Sequence, residues 1–423
     1  MALDASPPLF PGLVGPLDRP VFRKSLPILA ARFPATKIGS VRKAESMRRS
    51  VLDLPRLRTV VPDPADPAGD KLVLLKVSAE VDLPPHTLEF LKTESNGLVP
   101  YTLELDYDYW TADEIIQSIL PETLRERSPT GFAITGHIAH VNLNDEYLQY
   151  KHLIGQILLD KNKAIRTVVN KLDSIDTQFR FFKMELLAGD PDYIVEHHES
   201  DCRFTFDFTQ VYWNSRLHTE HERLKGCAVL ANDLNPQSYK YLSLNIQDNR
   251  LTYAGTDVVR ASCEDGRLFI REAAKRLIAD PFPGYSGPKK SKNQENQERR
   301  KQRSVPKEDT SPLPPRARIS HFVMNLPDSA ITFLDAFRGL FASLDAEEVH
   351  KIYHTMPMIH CHCFTRETEP EGAKADVMKR VEEKIGQPIH EDVSLHLVRA
   401  VAPNKDMYCI SFRLPVNVAF DNE

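Results

Sequence analysis

The stretch Cys227-Ala-Val-Leu-Ala-Asn-Asp-Leu-Asn-Pro236 constrains the fold of this chain more than any other. An apolar run that closes on Asp233 and reopens at Asn235-Pro236 is the pattern of a parallel strand feeding a helix, with Asn235 as N-cap and Pro236 at the first helical position. A carboxylate at such a strand end reaches ribose hydroxyls in a doubly wound sheet, so Asp233 is a candidate adenosine reader. After that helix, Val258 to Gly266 reads as a second strand ending on Asp265-Gly266. That pair is either a contact to adenine or simply a turn signal.

The 423 residues leave room for two or three domains with a substantial core. No run of about 18 apolar residues occurs, which argues against a membrane span. A formal charge of -5 argues against a uniformly basic nucleic-acid binder, so any such contact falls to local basic patches. The six cysteines form neither a CxxC pair nor a dense framework and are expected as reduced thiols. Arg19, Arg23, Lys24, Arg32, Arg42, Lys43, Arg48 and Arg49 crowd the first sixty residues. They suit a basic domain surface or, alternatively, a mitochondrial import segment, against which Asp4 and the early prolines weigh.

Three regions are expected: a small α+β domain over 1–105, a connecting α+β domain over 106–200, and an α/β domain over 201–423. In the first, Leu72 to Val77 reads as a buried strand and Thr87 to Lys92 as a short helix. In the second, Thr111-Ala-Asp-Glu114 is a capping box ahead of Ile115, Ile116 and Ile119. Thr130 to Leu143 reads as one strand, Tyr150 to Asp160 as a helix, and Ile165 to Lys171 as another strand. In the third, Ile319 to Pro327 forms a strand ending in Asn-Leu-Pro, with a helical pattern over Ile331 to Phe341. Ile359 to Phe364, Val393 to Val401 and Met407 to Arg413 close the sheet. Residues 284–318 lack an apolar stripe and read as a disordered basic insertion. His360-Cys-His-Cys363 has no second ligand pair, and strand alternation splits it between two faces, so no metal is expected.

Val211-Tyr-Trp-Asn-Ser-Arg-Leu-His-Thr-Glu-His-Glu-Arg-Leu224, the Cys227–Pro236 stretch after it, the run from Gly136 to Lys171 and the Asn325-Leu-Pro327 loop carry a specific likeness. Together they resemble the eukaryotic and archaeal tRNA guanine-N1 methyltransferases that modify guanosine 37, just 3′ of the anticodon, over nearly the whole chain. The resemblance implies a Rossmann-like class I methyltransferase domain preceded by small α+β domains that grip tRNA. It also implies S-adenosyl-L-methionine as cofactor and a monomer in cytoplasm, nucleus and mitochondrial matrix, with the product the first step toward wybutosine in the phenylalanine tRNA. By the same resemblance Glu220 is the general base, Arg180 stabilises charge on guanine O6, and Asn325 takes the polar edge of the base. Tyr212, His221, Asp233, Leu234, Asp265, Gly266, Asn325 and Pro327 line the cofactor site.

The likeness breaks in one place. Between Leu224 and Lys225 such enzymes carry a further strand, a loop of the type Asp-x-Phe-Ala-Gly-x-Gly-Pro-Phe and the start of a helix. No two of the 17 glycines of this chain are separated by a single residue. The expected methyltransferase domain therefore lacks its first strand and glycine-rich loop, which should leave a gap in the sheet. The alternatives are an active methyltransferase, or a tRNA-binding form or incomplete chain impaired in catalysis.

Overall fold

The computed structural model describes residues 3–129, 131–175, 179, 181–199, 202–213, 227–249, 251–253, 256–284 and 313–421. The chain divides into two compact units, one of residues 1–175 and 182–193 and the other of 176–181 and 194–423. No helix among the described residues is long and apolar enough to cross a membrane.

The first unit holds two four-stranded sheets. In one, β1 (Lys24–Phe33) runs antiparallel to both β3 (Asp66–Leu74) and β4 (Leu98–Leu105), and β2 (Val60–Asp63) extends the β3 edge. Side chains alternate across this sheet with period two. Leu26, Ile28 and Ala30 enter a core shared with Ile115, Ile116 and Ile119, whereas Ala31 and Phe33 meet Leu91 of the helix Pro85–Glu94 on the other face. The second sheet runs β5 (Ala133–Thr135), β6 (Ile138–Val141), β7 (Thr167–Ile175), β8 (Phe182–Gly189), with only β6 and β7 parallel. The single strand expected over Thr130 to Leu143 is thus a tight hairpin. Gly136 turns it with φ +55°, a left-handed conformation that glycine adopts without a Cβ penalty.

The capping box is formed. Thr111 Oγ1 accepts from Glu114 N at 3.3 Å, and the Glu114 carboxylate accepts from Thr111 N at 2.7 Å. The helix Ala112–Ile119 then buries all three isoleucines. Thr111→Ala removes the reciprocal cap and is expected to cost about 0.5–2 kcal/mol, read as an earlier urea midpoint with an unchanged slope.

The second unit opens with the antiparallel pair β9 (Ile194–Glu199) and β10 (Cys202–Asp207). Two sheet blocks follow. One is the parallel pair β11 (Val229–Asn232) and β14 (Val259–Ser262), joined by the helix Pro236–Asp248 and the two-residue strands β12 (Thr252–Tyr253) and β13 (Thr256–Asp257). The other runs β15 (His321–Met324), β16 (Met358–Thr365), β18 (Lys405–Arg413), β17 (Ser394–Ala402), with β15 and β16 parallel and the rest antiparallel. Among the described residues no strand joins β11 to β15, so each keeps one edge without a ladder. No residue of β11 or β14 is fully buried, although parallel strands normally have both faces covered.

One apolar core underlies the four-stranded block. The helix Pro370–Ile385 contributes Ala373, Val377, Val381 and Ile385 as a stripe, the helix Gly266–Ala279 adds Ile270, Ala273 and Ala274, and Leu230 of β11 packs against the same cluster. The pattern over Ile331 to Phe341 forms a 3-10 helix, Ala330–Phe337, rather than an α-helix. Its first turn is set by Leu326 O, which accepts from both Ser329 N and Ala330 N. Residues 313–318, expected as part of the insertion, are tied to the domain instead: Arg316 pairs backbone to backbone with Phe282, and its Nε donates to Pro283 O at 2.9 Å. The rest of the basic insertion, 285–312, lies outside the described residues.

Candidate functional site

The carboxyl ends of β11 and β14 are held together by a small amide network. Asn232 Nδ2 donates to Glu264 O at 2.9 Å, and Glu264 N donates to Asn232 Oδ1 at 3.1 Å. Glu264 is anchored in turn by Arg276, whose Nη2 lies 2.8 Å from its Oε2, and this guanidinium holds the carboxyl below its usual range. Asp233 follows directly. Its Oδ1 accepts from Asn235 N at 2.8 Å, and burial pushes its carboxyl above the ordinary aspartate value. The residue as a whole nonetheless keeps solvent-facing surface.

Asn235 does more than cap its helix. Its Oδ1 accepts from Gln237 N, while its Nδ2 donates to Gln210 O at 2.7 Å, and the residue is 4% exposed. This amide ties the helix start to the turn after β10, where Asp207 accepts from Thr209 N and from Gln210 Nε2. The turn leads into Tyr212, which is half exposed, and into Trp213, which stacks on Phe206 at 4.8 Å between ring centres. Asn235 thus holds the turn ending at Gln210, two residues before Tyr212, against the strand end that carries Asp233 and the exposed Leu234.

Strand β14 stops at Ser262, four residues short of the expected end at Gly266. Asp265 is the N-cap of the next helix, its Oδ1 accepting from Arg267 N at 2.9 Å and Leu268 N at 3.2 Å. A Cβ on Gly266 would meet the Phe333 ring at 3.1 Å, so close helix packing gives that glycine a structural reason. Arg267 crosses to the same region, its Nε 2.9 Å from Asp335 Oδ1 and its guanidinium 4.5 Å over Phe333. This links the β14 end to the segment behind Asn325, Leu326 and Pro327, which follow β15.

Asn325 is exposed just past the end of β15. Arg180, Glu220 and His221 lie outside the described residues. In β16, Cys361 and Cys363 point into the core, where burial raises both thiols, the second to about 12. His360 faces the other way, its Nδ1 2.8 Å from Ser411 Oγ. The amides Asn232 and Asn235 carried no sequence signal beyond the N-cap pattern, because their second partners, Glu264 and Gln210, are distant in sequence.

Over 452 aligned positions the chain is 57% identical to a tRNA (guanine(37)-N(1))-methyltransferase of Coprinopsis cinerea, covering 99% of this chain and 98% of that protein. The chain belongs to the tRNA (guanine(37)-N(1))-methyltransferase family. A second member, from Schizosaccharomyces pombe, is 41% identical over 96% of this chain and 94% of its own length. Residues 112–192 match a family model described as the TYW2 N-terminal domain. Among solved structures, the one titled "The complex structure of aTrm5 and tRNALeu" superposes with a TM-score of 0.55 at 16% identity, over 92% of this chain and all of that one. The Rossmann-like class I methyltransferase fold of this family member follows from that likeness. Because 452 aligned positions exceed the 423 residues here, at least 29 positions of the Coprinopsis family member have no counterpart in this chain.

Proposed function

We propose that this chain transfers a methyl group from S-adenosylmethionine to N1 of guanosine 37 in tRNA. Kinship along the whole chain with tRNA (guanine(37)-N(1))-methyltransferases is the observation that carries this reading. The adenosine half of the cofactor suits the residues at the β11 end. A carboxylate has about four acceptor sites, and Asn235 N and Ser238 occupy two at Asp233, leaving capacity for ribose hydroxyls. Leu234, next to it in the chain, offers exposed apolar surface, and the Asp265–Gly266 helix start lies at the neighbouring strand end. The bound cofactor supplies an electrophilic methyl on a positive sulfur.

Guanine N1 carries a proton at neutral pH, so its attack on that methyl requires a base. Glu220 takes the N1 proton as the N1–C bond forms and the C–S bond breaks, with the C–S electron pair left on sulfur. Negative charge then spreads toward O6, where the Arg180 guanidinium offsets it. Asn325 receives the polar edge of the base, and Tyr212 supports a base turned out of the anticodon-loop stack. Transfer of labelled methyl to a transcript with guanosine 37, and none to the same transcript with adenosine 37, is the expected result. Equal labelling of both would contradict the reading.

Asp233 gives a second test. Its raised carboxyl means that folding favours the neutral acid, so this stabilising contribution is full below the unfolded value of 3.8 and is lost as pH rises through the folded one. Asp233→Asn keeps an oxygen for Asn235 N and removes the charge. At neutral pH this variant is expected to melt higher than the parent, with the difference shrinking as pH falls into the carboxylate range, while binding S-adenosylmethionine about tenfold more weakly. A variant that melts lower at neutral pH would contradict the assignment.

A further inference from the structure

A cavity of about 390 Å³ lies at the carboxyl ends of β15 and β16, within the size range of ligand pockets, roughly 300–1,000 Å³. Its walls include Pro327 and Asp328 after β15, Phe364 at the end of β16, Arg366 and Glu367 beyond it, and Lys405 at the start of β18. Phe364 N donates to Pro327 O at 3.0 Å, so the cavity and the Asn325-Leu326-Pro327 loop share a wall. In an open α/β sheet this is the side on which ligands sit.

The charges within the cavity are not equivalent. Arg380 donates to Asp376 Oδ2 and to Phe364 O, both at 2.9 Å, and so belongs to the wall. Lys405 is aimed by a two-residue hairpin in which Asn404 takes φ +56°, and its Nζ sits 4.1 Å over the Phe364 ring. Arg366 is exposed and has no hydrogen bond or ion pair among the described residues. Glu367 N donates to Thr365 Oγ1 at 3.1 Å, which fixes the turn carrying Arg366. Two cations thus meet two carboxylates, Asp328 and Glu367, across one small space. Cations recognise a phosphodiester, and carboxylates accept from a 2′-hydroxyl, which only RNA offers.

We propose that this cavity receives the ribose and phosphate of a nucleotide adjoining the methylated one, with Arg366 and Lys405 on the phosphate and Glu367 on the 2′-hydroxyl. The assignment rests on the tRNA reading above. It makes Arg366, Lys405 and Glu367 binding residues, distinct from the groups that move the N1 proton.

The test measures equilibrium binding of the full chain to tRNA transcripts, unmodified or carrying one neutral methylphosphonate on either side of residue 37. The wild type is expected to lose about tenfold at one of the two positions. The Arg366→Ala/Lys405→Ala variant should lose about tenfold on unmodified tRNA and nothing more on that modified transcript, with a salt dependence shallower by about 0.7 in log–log slope. Arg366→Ala alone breaks no bond among the described residues and keeps the comparison open should the double variant melt early. Losses that multiply, or an unchanged affinity of the variants, would overturn the subsite while leaving the tRNA reading intact. Failure of the wild type to bind unmodified tRNA would overturn both.

Discussion

Insertion of a β-strand and glycine-rich loop after Leu224 is expected to tighten S-adenosylmethionine binding by about a hundredfold. Among the described residues, β11 and β15 each pair on one side only, and no strand joins the Asp233 end of β11 to the Asn325 loop after β15. A loop of the family type brings backbone N–H and C=O groups to the methionine end. Two or three such hydrogen bonds, each worth about 1 kcal/mol net, correspond to about two powers of ten in affinity. The inserted strand also pairs with the open edges of β11 and β15 and covers the half-exposed residues of β11 and β14. Melting should therefore rise by about 2–4 °C for each kcal/mol gained. Calorimetric titration beside thermal melting checks both effects. Equal affinity with and without the insertion would mean that another segment already completes the methionine end.

Glu220→Gln is expected to lower kcat by about 10²- to 10⁴-fold, and Arg180→Ala by about 10²- to 10³-fold, with tRNA affinity nearly unchanged. Both expectations rest on family membership and on the reaction itself, since removing the N1 proton and accommodating charge on O6 are separate tasks. The two variants should differ in pH dependence. Without the base, the rate follows the fraction of guanine already ionised in solution and climbs with pH; without the guanidinium, the profile keeps its shape at a lower level. A Glu220→Gln enzyme with parental kcat would assign the proton to another group.

The sequence was most legible where one local pattern decides one element. The Asn235-Pro236 start, the Thr111 capping box and the closing strands over Ile359 to Phe364 and Met407 to Arg413 all reappear in the structure. It was less legible where local signals compete. Gly136 sits inside an apolar run that suggests a single strand, and only the left-handed backbone there reveals the hairpin. Asp265-Gly266 was read as either an adenine contact or a turn signal, and the structure adds a third task, since its carboxylate caps the Gly266–Ala279 helix. Least legible were the long-range latches. Asn232 to Glu264, Asn235 to Gln210 and Arg267 to Asp335 join segments about 25 to 68 residues apart, and no periodicity announces them.

The central claim is that this chain is a methyltransferase acting on N1 of guanosine 37. Its most direct test incubates the chain, beside a version carrying the insertion after Leu224, with S-adenosylmethionine and a guanosine-37 tRNA, then digests the tRNA and locates the methyl group. The expected product is 1-methylguanosine at position 37 and nowhere else, formed faster by the version with the insertion. A methyl group at another position, or none with either version, would contradict the account.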